Sequence, residues 1–187
     1  MIFQKLKELN FEILQLHHAS AILEHDLSAC VLELENTLSE AKIPISELIY
    51  GGGGEGKFTQ RIRKNLAEEY NWKKHKFEVK QTLDGVEKES ISHEIDHVKF
   101  HKNGVIALEI EWNNKDPFFD RDLENYKRLH SIGAISIGCI ITRGSSLQNN
   151  LKEMFVEYAN RNNINSLDKL SKYYQPTARQ IRLIENS

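Results

Sequence analysis

Apolar residues recur at helical spacing in several stretches of the chain. In the clearest case Phe58, Ile62, Leu66 and Tyr70 follow one another at intervals of four, which places them along one face of an α-helix. Polar and charged residues fill the positions between them, as is typical of a helix that packs one face against a core. The predicted helices cover residues 20–42, 58–70, 120–130, 147–160 and 167–174.

Stretches with strand character lie between these helices. Residues 132–142 are the most apolar of them and are predicted to form a central strand buried on both faces. Asp84-Gly85 and Asn103-Gly104 are turn signals of the kind that joins neighbouring antiparallel strands. The predicted strands cover residues 72–82, 92–100, 105–112, 132–142 and 179–184.

Size and composition indicate one globular domain. The 187 residues fall within the usual range of roughly 100 to 200 for a soluble domain, and 40% of them are hydrophobic. Cys30 and Cys139 lie in apolar runs, where a free thiol behaves as a small hydrophobic residue. The first residues lack the apolar core of a signal peptide, and no run approaches the roughly 18 apolar residues that a membrane span needs. We therefore expect a single cytoplasmic domain over residues 1–187, with no membrane association.

Positive charge is concentrated in one segment of the chain. The net charge of -2 excludes a protein that is basic over its whole surface, yet residues 57–80 hold eight Lys/Arg against three Asp/Glu. Such a segment can contact a polyanion, or it can be an ordinary solvated helix face. The glycine-rich residues 51–56 before it form a predicted loop whose backbone N–H groups could approach a phosphate. They lack the Gly-Lys-Ser/Thr ending of a nucleotide-binding loop.

Carboxylates cluster around the predicted hairpin at Asn103-Gly104. Because side chains alternate along a strand, Glu109 and Glu111 share one face, and the hairpin can bring Asp96 near them. Like charges this close repel unless something neutralises them, and a hard divalent cation such as Mg²⁺ does so with oxygen ligands. Such a site suits phosphodiester hydrolysis. On spacing alone, an ordinary exposed strand face that carries carboxylates fits equally well.

The same residues carry a resemblance to a known family. An acidic residue that enters a hairpin, followed thirteen positions later by Glu-x-Glu in an apolar strand, resembles the PD-(D/E)xK nuclease superfamily. More narrowly, residues 93–143 are similar to restriction endonucleases of the BamHI, BglII and BstYI type, in which Glu or Gln replaces the usual lysine. Ile95 departs from the proline that precedes the first Asp in the family. The resemblance implies an α/β, restriction-endonuclease-like fold with a central mixed β-sheet flanked by helices.

The resemblance also implies roles for individual residues. Asp96 and Glu109 would be metal-binding carboxylates, with the backbone carbonyl of Ile110 as a further ligand. Glu111, which stands at the position of the lysine, would orient or activate the attacking water. An acidic residue on the preceding helix often completes such a site, and Glu55 is the candidate here. The basic residues expected to contact DNA phosphates are Lys57, Arg61, Arg63 and Lys64.

The activity implied is that of a Mg²⁺-dependent DNA endonuclease from a type II restriction system. Cutting both strands of duplex DNA needs two such sites, so the resemblance implies either a homodimer on a palindrome or a heterodimer. In the heterodimer this chain would be the small catalytic subunit of a type IIS enzyme, with a larger DNA-recognising partner. The alternative is a non-catalytic DNA-binding or interaction protein on a nuclease-like fold.

Overall fold

The computed structural model describes residues 2–49, 56–111 and 116–164. The predicted helix at 167–174 and the predicted strand at 179–184 lie outside these residues. No helix in the described part of the chain is long and apolar enough to cross a membrane. The described elements are, in chain order, α1 (Gln4–Glu8), α2 (Ala19–His25), α3 (Ser28–Glu40), α4 (Ile45–Ile49), α5 (Lys57–Glu68), β1 (Lys73–Leu83), β2 (Val86–His101), β3 (Gly104–Glu111), α6 (Asp116–Ser131), β4 (Ile137–Thr142) and α7 (Ser145–Arg161).

The strands form one four-stranded mixed sheet in the order β1-β2-β3-β4. The β1–β2 and β2–β3 pairs are antiparallel, whereas β3 and β4 are parallel and are connected through α6. This arrangement confirms the predicted α/β fold with a mixed sheet flanked by helices. The strand predicted over 132–142 begins only at Ile137, and within the described residues β4 is the outer strand of the sheet.

Two hairpins shape the first three strands. Asp84 and Gly85 both have positive φ, at 51° and 79°, which gives the tight turn that the sequence predicts between β1 and β2. At the second hairpin Lys102 and Asn103 make the turn, and Gly104 pairs with His101 instead of occupying the turn. Gly104 is closely packed there, because a Cβ atom on it would lie 2.4 Å from the Oγ and 3.1 Å from the Cβ of Ser136.

The helices agree with the apolar spacing except in the N-terminal region. Helices α5, α6 and α7 form where they are predicted, but the single helix expected over 20–42 is divided into α2 and α3. The N–H groups of Asp26 and Leu27 both bond to the carbonyl of Ile22, so the chain turns there. The turn places Leu27 fully inside the core.

The chain divides into two compact units. The first comprises Met1–Glu40 and Ile62–Thr142 and contains the sheet, and the second comprises Ala41–Arg61 and Arg143–Ser187. One nuclease domain over 1–187 stays a prediction. The core between the sheet and α6 in the first unit consists of Ile95, Val98, Ala107, Tyr126, Leu129 and Ile135. The core of the second unit consists of Leu151, Phe155, Ala159 and Ile164, with Ile45, Leu48 and Tyr158 packed against it.

A polar network joins β2 to α3 within the first unit. Lys99 alternates with Val98 along β2 and so points away from the α6 side of the sheet. Its ammonium group lies 2.9 Å from the Oε1 of Glu33 and also donates to the carbonyl of Tyr70. The indole N–H of Trp72 donates to the other Glu33 oxygen at 2.7 Å. One carboxylate on α3 therefore holds the start of β1 and the end of β2 in place.

Candidate catalytic site

Strand β2 carries a β-bulge in the middle of the predicted site. At Asp96 and His97, two residues of β2 face the single residue Lys74 of β1. The extra residue explains why Ile95 and Val98, three positions apart, both reach the hydrophobic cluster under α6. Bulges of this kind bend a strand and redirect its side chains, and they are frequent next to active sites.

The bulge brings two of the predicted carboxylates together. The backbone N–H of Asp96 donates a hydrogen bond to the Oε1 of Glu109 at 3.3 Å. The register supports this contact, since the adjacent residues His97 and Leu108 are paired across β2 and β3. Glu109 and Glu111 are buried at 6% and 5% exposure, on alternate positions of the same strand. Glu109 and Glu111 therefore do not lie on an ordinary exposed strand face, the alternative that their spacing alone left open.

Lys74 lies next to the site. The sequence pattern indicated only that it belongs to the basic segment 57–80. Its ammonium group lies 3.3 Å from the Oδ1 of Asp96 and 2.9 Å from the Oε1 of Glu94. Hydrogen bonds to Glu94 and Asp96 raise the pKa of Lys74, so its charge is retained. It offsets part of the negative charge on the exposed side chain of Asp96.

Glu109 is a strongly perturbed carboxylate. Burial, and after it the charge of Asp96, raise its pKa to about 8, while the hydrogen bond from the Asp96 N–H acts in the opposite direction. The charges of Asp122 and Glu111 also contribute to this rise. A carboxylate so placed has to hold a proton or lie beside a cation at neutral pH.

Asp122 is a fourth carboxylate, to which the sequence reasoning assigned no role. It lies on α6 and is fully buried. Its Oδ1 accepts a hydrogen bond from the Nε of Arg121 at 2.9 Å, and the Nη2 of Arg121 forms an ion pair with the same oxygen at 2.8 Å. Its Oδ2 has no hydrogen-bond partner. A signal was present in the sequence, since Asp122 precedes Tyr126 by four positions and Leu129 by seven, on the apolar face of the predicted helix.

Two further residues are predicted for the site, Glu55 and Ile110. Glu55 lies outside the described residues. Ile110 lies between the two glutamates of β3 and pairs with Ile141 of β4. Its role as a metal ligand, like the catalytic roles of the carboxylates, stays a prediction.

The four basic residues predicted to contact DNA all lie on α5. Arg61 is engaged within the second unit, where Glu47 accepts from it at 2.6 and 3.0 Å and the carbonyl of Lys42 at 2.7 Å. Lys64 forms an exposed pair with Glu68, one helical turn away, at 3.8 Å. An exposed pair of this kind contributes little to stability and leaves the ammonium group accessible to a phosphate.

The donor set fits a hard cation that keeps part of its hydration. In the described chain, no three His, Cys, Asp or Glu side chains are grouped so as to hold a metal ion by themselves. Mg²⁺ does not need such a cage, because it typically binds one or two carboxylates and retains several waters. The buried carboxylates of Glu109 and Asp122, with an oxygen of Asp122 that no donor satisfies, provide the negative charge that such an ion neutralises.

Comparison with known families adds to this geometry. Residues 11–182 match the family model described as Restriction endonuclease BglII/BglIII. The match includes the bulge, both strands of the second hairpin and all of α6. No curated protein and no solved structure matches the chain significantly.

Proposed function

The chain belongs to the BglII/BglIII restriction endonuclease family and is a type II site-specific deoxyribonuclease, and from this premise we propose that it hydrolyses duplex DNA in a Mg²⁺-dependent reaction at Asp96, Glu109 and Glu111. Family membership decides against a non-catalytic protein on a nuclease-like fold. The proposal concerns the cation, the residues that act and the way in which two strands are cut.

One observation carries the proposal. Glu109 is 6% exposed and lies within the electrostatic reach of Asp96, Asp122 and Glu111, which with burial raise its pKa to about 8. Buried like charges are unfavourable unless they are neutralised, and in a protein they are characteristic of metal and catalytic sites. In an enzyme that hydrolyses a phosphodiester, a cation at this place would stabilise the charge on the phosphate and activate a water.

Each residue then has a distinct task. Asp96 and Glu109 would hold Mg²⁺ together with the carbonyl of Ile110, and Glu55 would complete the set. Bound there, Mg²⁺ stabilises the charge that develops on the scissile phosphate. Glu111 follows Glu109 by two positions, on the same strand face, and would accept the proton of the attacking water.

Lys74 would support substrate binding. It contacts Asp96 and Glu94 from an exposed position, so a DNA phosphate can compete for its ammonium group once a cation takes over the charge of Asp96. Lys57, Arg61, Arg63 and Lys64 on α5 would add sequence-independent contacts to the DNA backbone. Two copies of the site are needed to cut both strands, either in a homodimer or with a second nuclease subunit that recognises the target.

The test uses isosteric variants of the three carboxylates. Asp96→Asn, Glu109→Gln and Glu111→Gln should each lower Mg²⁺-dependent cleavage of phage or plasmid DNA by at least about 100-fold, the usual range for loss of a catalytic group. Binding of duplex DNA in Ca²⁺ should be retained. Glu89→Gln, an exposed change on the same strand β2, is the matched control. Unchanged cleavage in both Asp96→Asn and Glu109→Gln would overturn the site.

A second measurement decides how two strands are cut. Sedimentation of the purified chain with its target duplex, together with a cleavage assay, separates the two assemblies. A dimer that cuts both strands unaided supports the homodimer. A monomer that nicks one strand, or acts only after a site-binding subunit is added, supports the heterodimer.

A further inference from the structure

We propose that Asp122 is a further carboxylate of the cation site, and that it contributes to cation binding as well as to the packing of α6. This inference rests on the proposed function, because it names an additional residue of the same site. Within the described residues Asp122 is the buried carboxylate on a helix that faces the carboxylates of the sheet. Neither the Glu-x-Glu pattern nor its spacing includes it.

The two carboxylate oxygens of Asp122 have unequal surroundings. Oδ1 accepts a hydrogen bond from the Nε of Arg121 at 2.9 Å and forms an ion pair with its Nη2 at 2.8 Å, whereas Oδ2 accepts no hydrogen bond. The side chain is 0% exposed, so bulk water does not reach the second oxygen. Nearly all buried polar atoms have a partner, and an orphaned carboxylate oxygen is therefore a place where a water, a proton or a cation is expected.

Helix α6 packs on the sheet through the face that carries Asp122. The hydroxyl of Tyr126 donates to the carbonyl of Cys139 on β4 at 3.0 Å, and the side chain of Asn125 lies 3.0 Å from the Nδ1 of His93 on β2. Asp122 precedes these two residues by four and three positions, so all three share one face of the helix. That face is turned toward β2, β3 and β4.

Asp122 is also in electrostatic contact with the site. The charge of Asp122 acts on both Glu109 of β3 and His93 of β2. Arg121, the direct partner of Asp122, is half exposed and stacks over the ring of Phe118 at 5.2 Å, so it stands on the outer side of the carboxylate. A pair that served packing alone would leave the buried Oδ2 of Asp122 without a partner.

The experiment measures cation binding without DNA and without turnover. Mn²⁺ is titrated into the full chain, and the free ion is followed by its electron paramagnetic resonance signal. Asp122→Asn should weaken Mn²⁺ binding by about 10-fold or more, the usual effect of losing a supporting carboxylate of a metal site. Asp120→Asn, on the exposed side of the same helix, should bind as the wild type does, and Glu109→Gln should show the largest loss.

A second variant covers the case in which Asp122→Asn does not fold. Arg121→Gln removes the partner of Oδ1, leaves the carboxylate in place and withdraws a positive charge, so it should bind Mn²⁺ several-fold more tightly. A packing role alone predicts a lower melting temperature for both variants with unchanged Mn²⁺ affinity, and that result overturns the assignment. A wild-type chain that binds no Mn²⁺ overturns the proposed cation site itself, which distinguishes the two failures.

Discussion

The backbone N–H of Asp96 donates a hydrogen bond to the side chain of Glu109 at 3.3 Å, from the bulge of β2 to the neighbouring strand. This bond lowers the pKa of Glu109 and so stabilises its charged form, whereas burial and the charge of the Asp96 carboxylate raise that pKa. The two residues are thirteen positions apart, and the hairpin between them makes the contact possible. Several measurable properties depend on this arrangement.

The cation-free protein should lose stability as the pH rises from about 5 to 8. The pKa of Glu109 is raised to about 8 in the folded chain from an ordinary value of 4.5, so the unfolded state releases its proton first. The contribution of protonated Glu109 to folding stability is complete below its pKa in the unfolded chain. It is lost as the pH rises through its pKa in the folded chain. The full difference is of order 5 kcal/mol at most. Urea unfolding in EDTA at a series of pH values measures it.

The comparison with Glu109→Gln isolates this carboxylate. His93 and His97 have lowered pKa values, chiefly through burial, and act in the opposite direction because their contribution is lost as the pH falls. They are present in both proteins, so the difference between wild type and variant belongs to Glu109. A difference that is flat between pH 5 and 8 would contradict the raised pKa.

The cations of α5 should appear in the salt dependence of DNA binding. Arg63→Gln and Lys64→Gln should each reduce the slope of log K against log salt by about 0.9, the value for one phosphate contact. Fluorescence anisotropy of a labelled duplex, measured in Ca²⁺ at several salt concentrations, gives the slope. Arg61 is a poorer test because Glu47 and the carbonyl of Lys42 already bind its guanidinium.

Lys127→Gln provides the control for this measurement. Lys127 is an exposed residue of α6, paired with Glu124 at 3.6 Å, and it does not belong to the predicted DNA surface. Its slope should equal that of the wild type. If Arg63→Gln, Lys64→Gln and Lys127→Gln all show the wild-type slope, α5 is not part of the DNA interface.

Gly138→Ala should destabilise the protein by about 1 to 3 kcal/mol, the usual range for overpacking a filled site. A Cβ atom at this position would lie 2.4 Å from the Cδ2 and 2.9 Å from the Cβ of Tyr126, which is itself buried. Thermal unfolding measures the loss. Gly56→Ala, whose new Cβ would lie 3.9 Å from the Oγ1 of Thr59, meets no such clash and should cost only about 0.5 kcal/mol, the effect of a poorer N-cap residue before α5. Equal effects of the two changes would show that Tyr126 moves freely.

Glu33→Ala should cost about 2 kcal/mol or more of folding free energy. It leaves the ammonium group of Lys99 and the indole N–H of Trp72 without their carboxylate, and Trp72 is 1% exposed. Chemical denaturation measures the change, and tryptophan fluorescence reports the environment of Trp72. Glu124→Ala, which removes one member of an exposed pair, should have an effect within about 0.5 kcal/mol. A Glu33 variant as stable as this control would contradict the network.

Much of the local structure follows from residue patterns. Helix α5 forms where Phe58, Ile62 and Leu66 recur at intervals of four, and all three are buried. Asp84-Gly85 makes its tight turn because both residues accept positive φ. The break between α2 and α3 was missed, because the apolar spacing of that stretch suits a continuous helix and the turn depends on the burial of Leu27.

The sequence by itself determined which carboxylates belong to the hairpin, since Asp96, Glu109 and Glu111 follow from strand alternation and one turn. Tertiary structure alone decided that Glu109 is buried, that Lys74 contacts Asp96 and that Asp122 faces the sheet. The physical reason is that a bulge, a strand register and the docking of a helix depend on contacts between residues far apart in the chain. Periodicity reports which side of an element is apolar, and it does not report which element will cover that side.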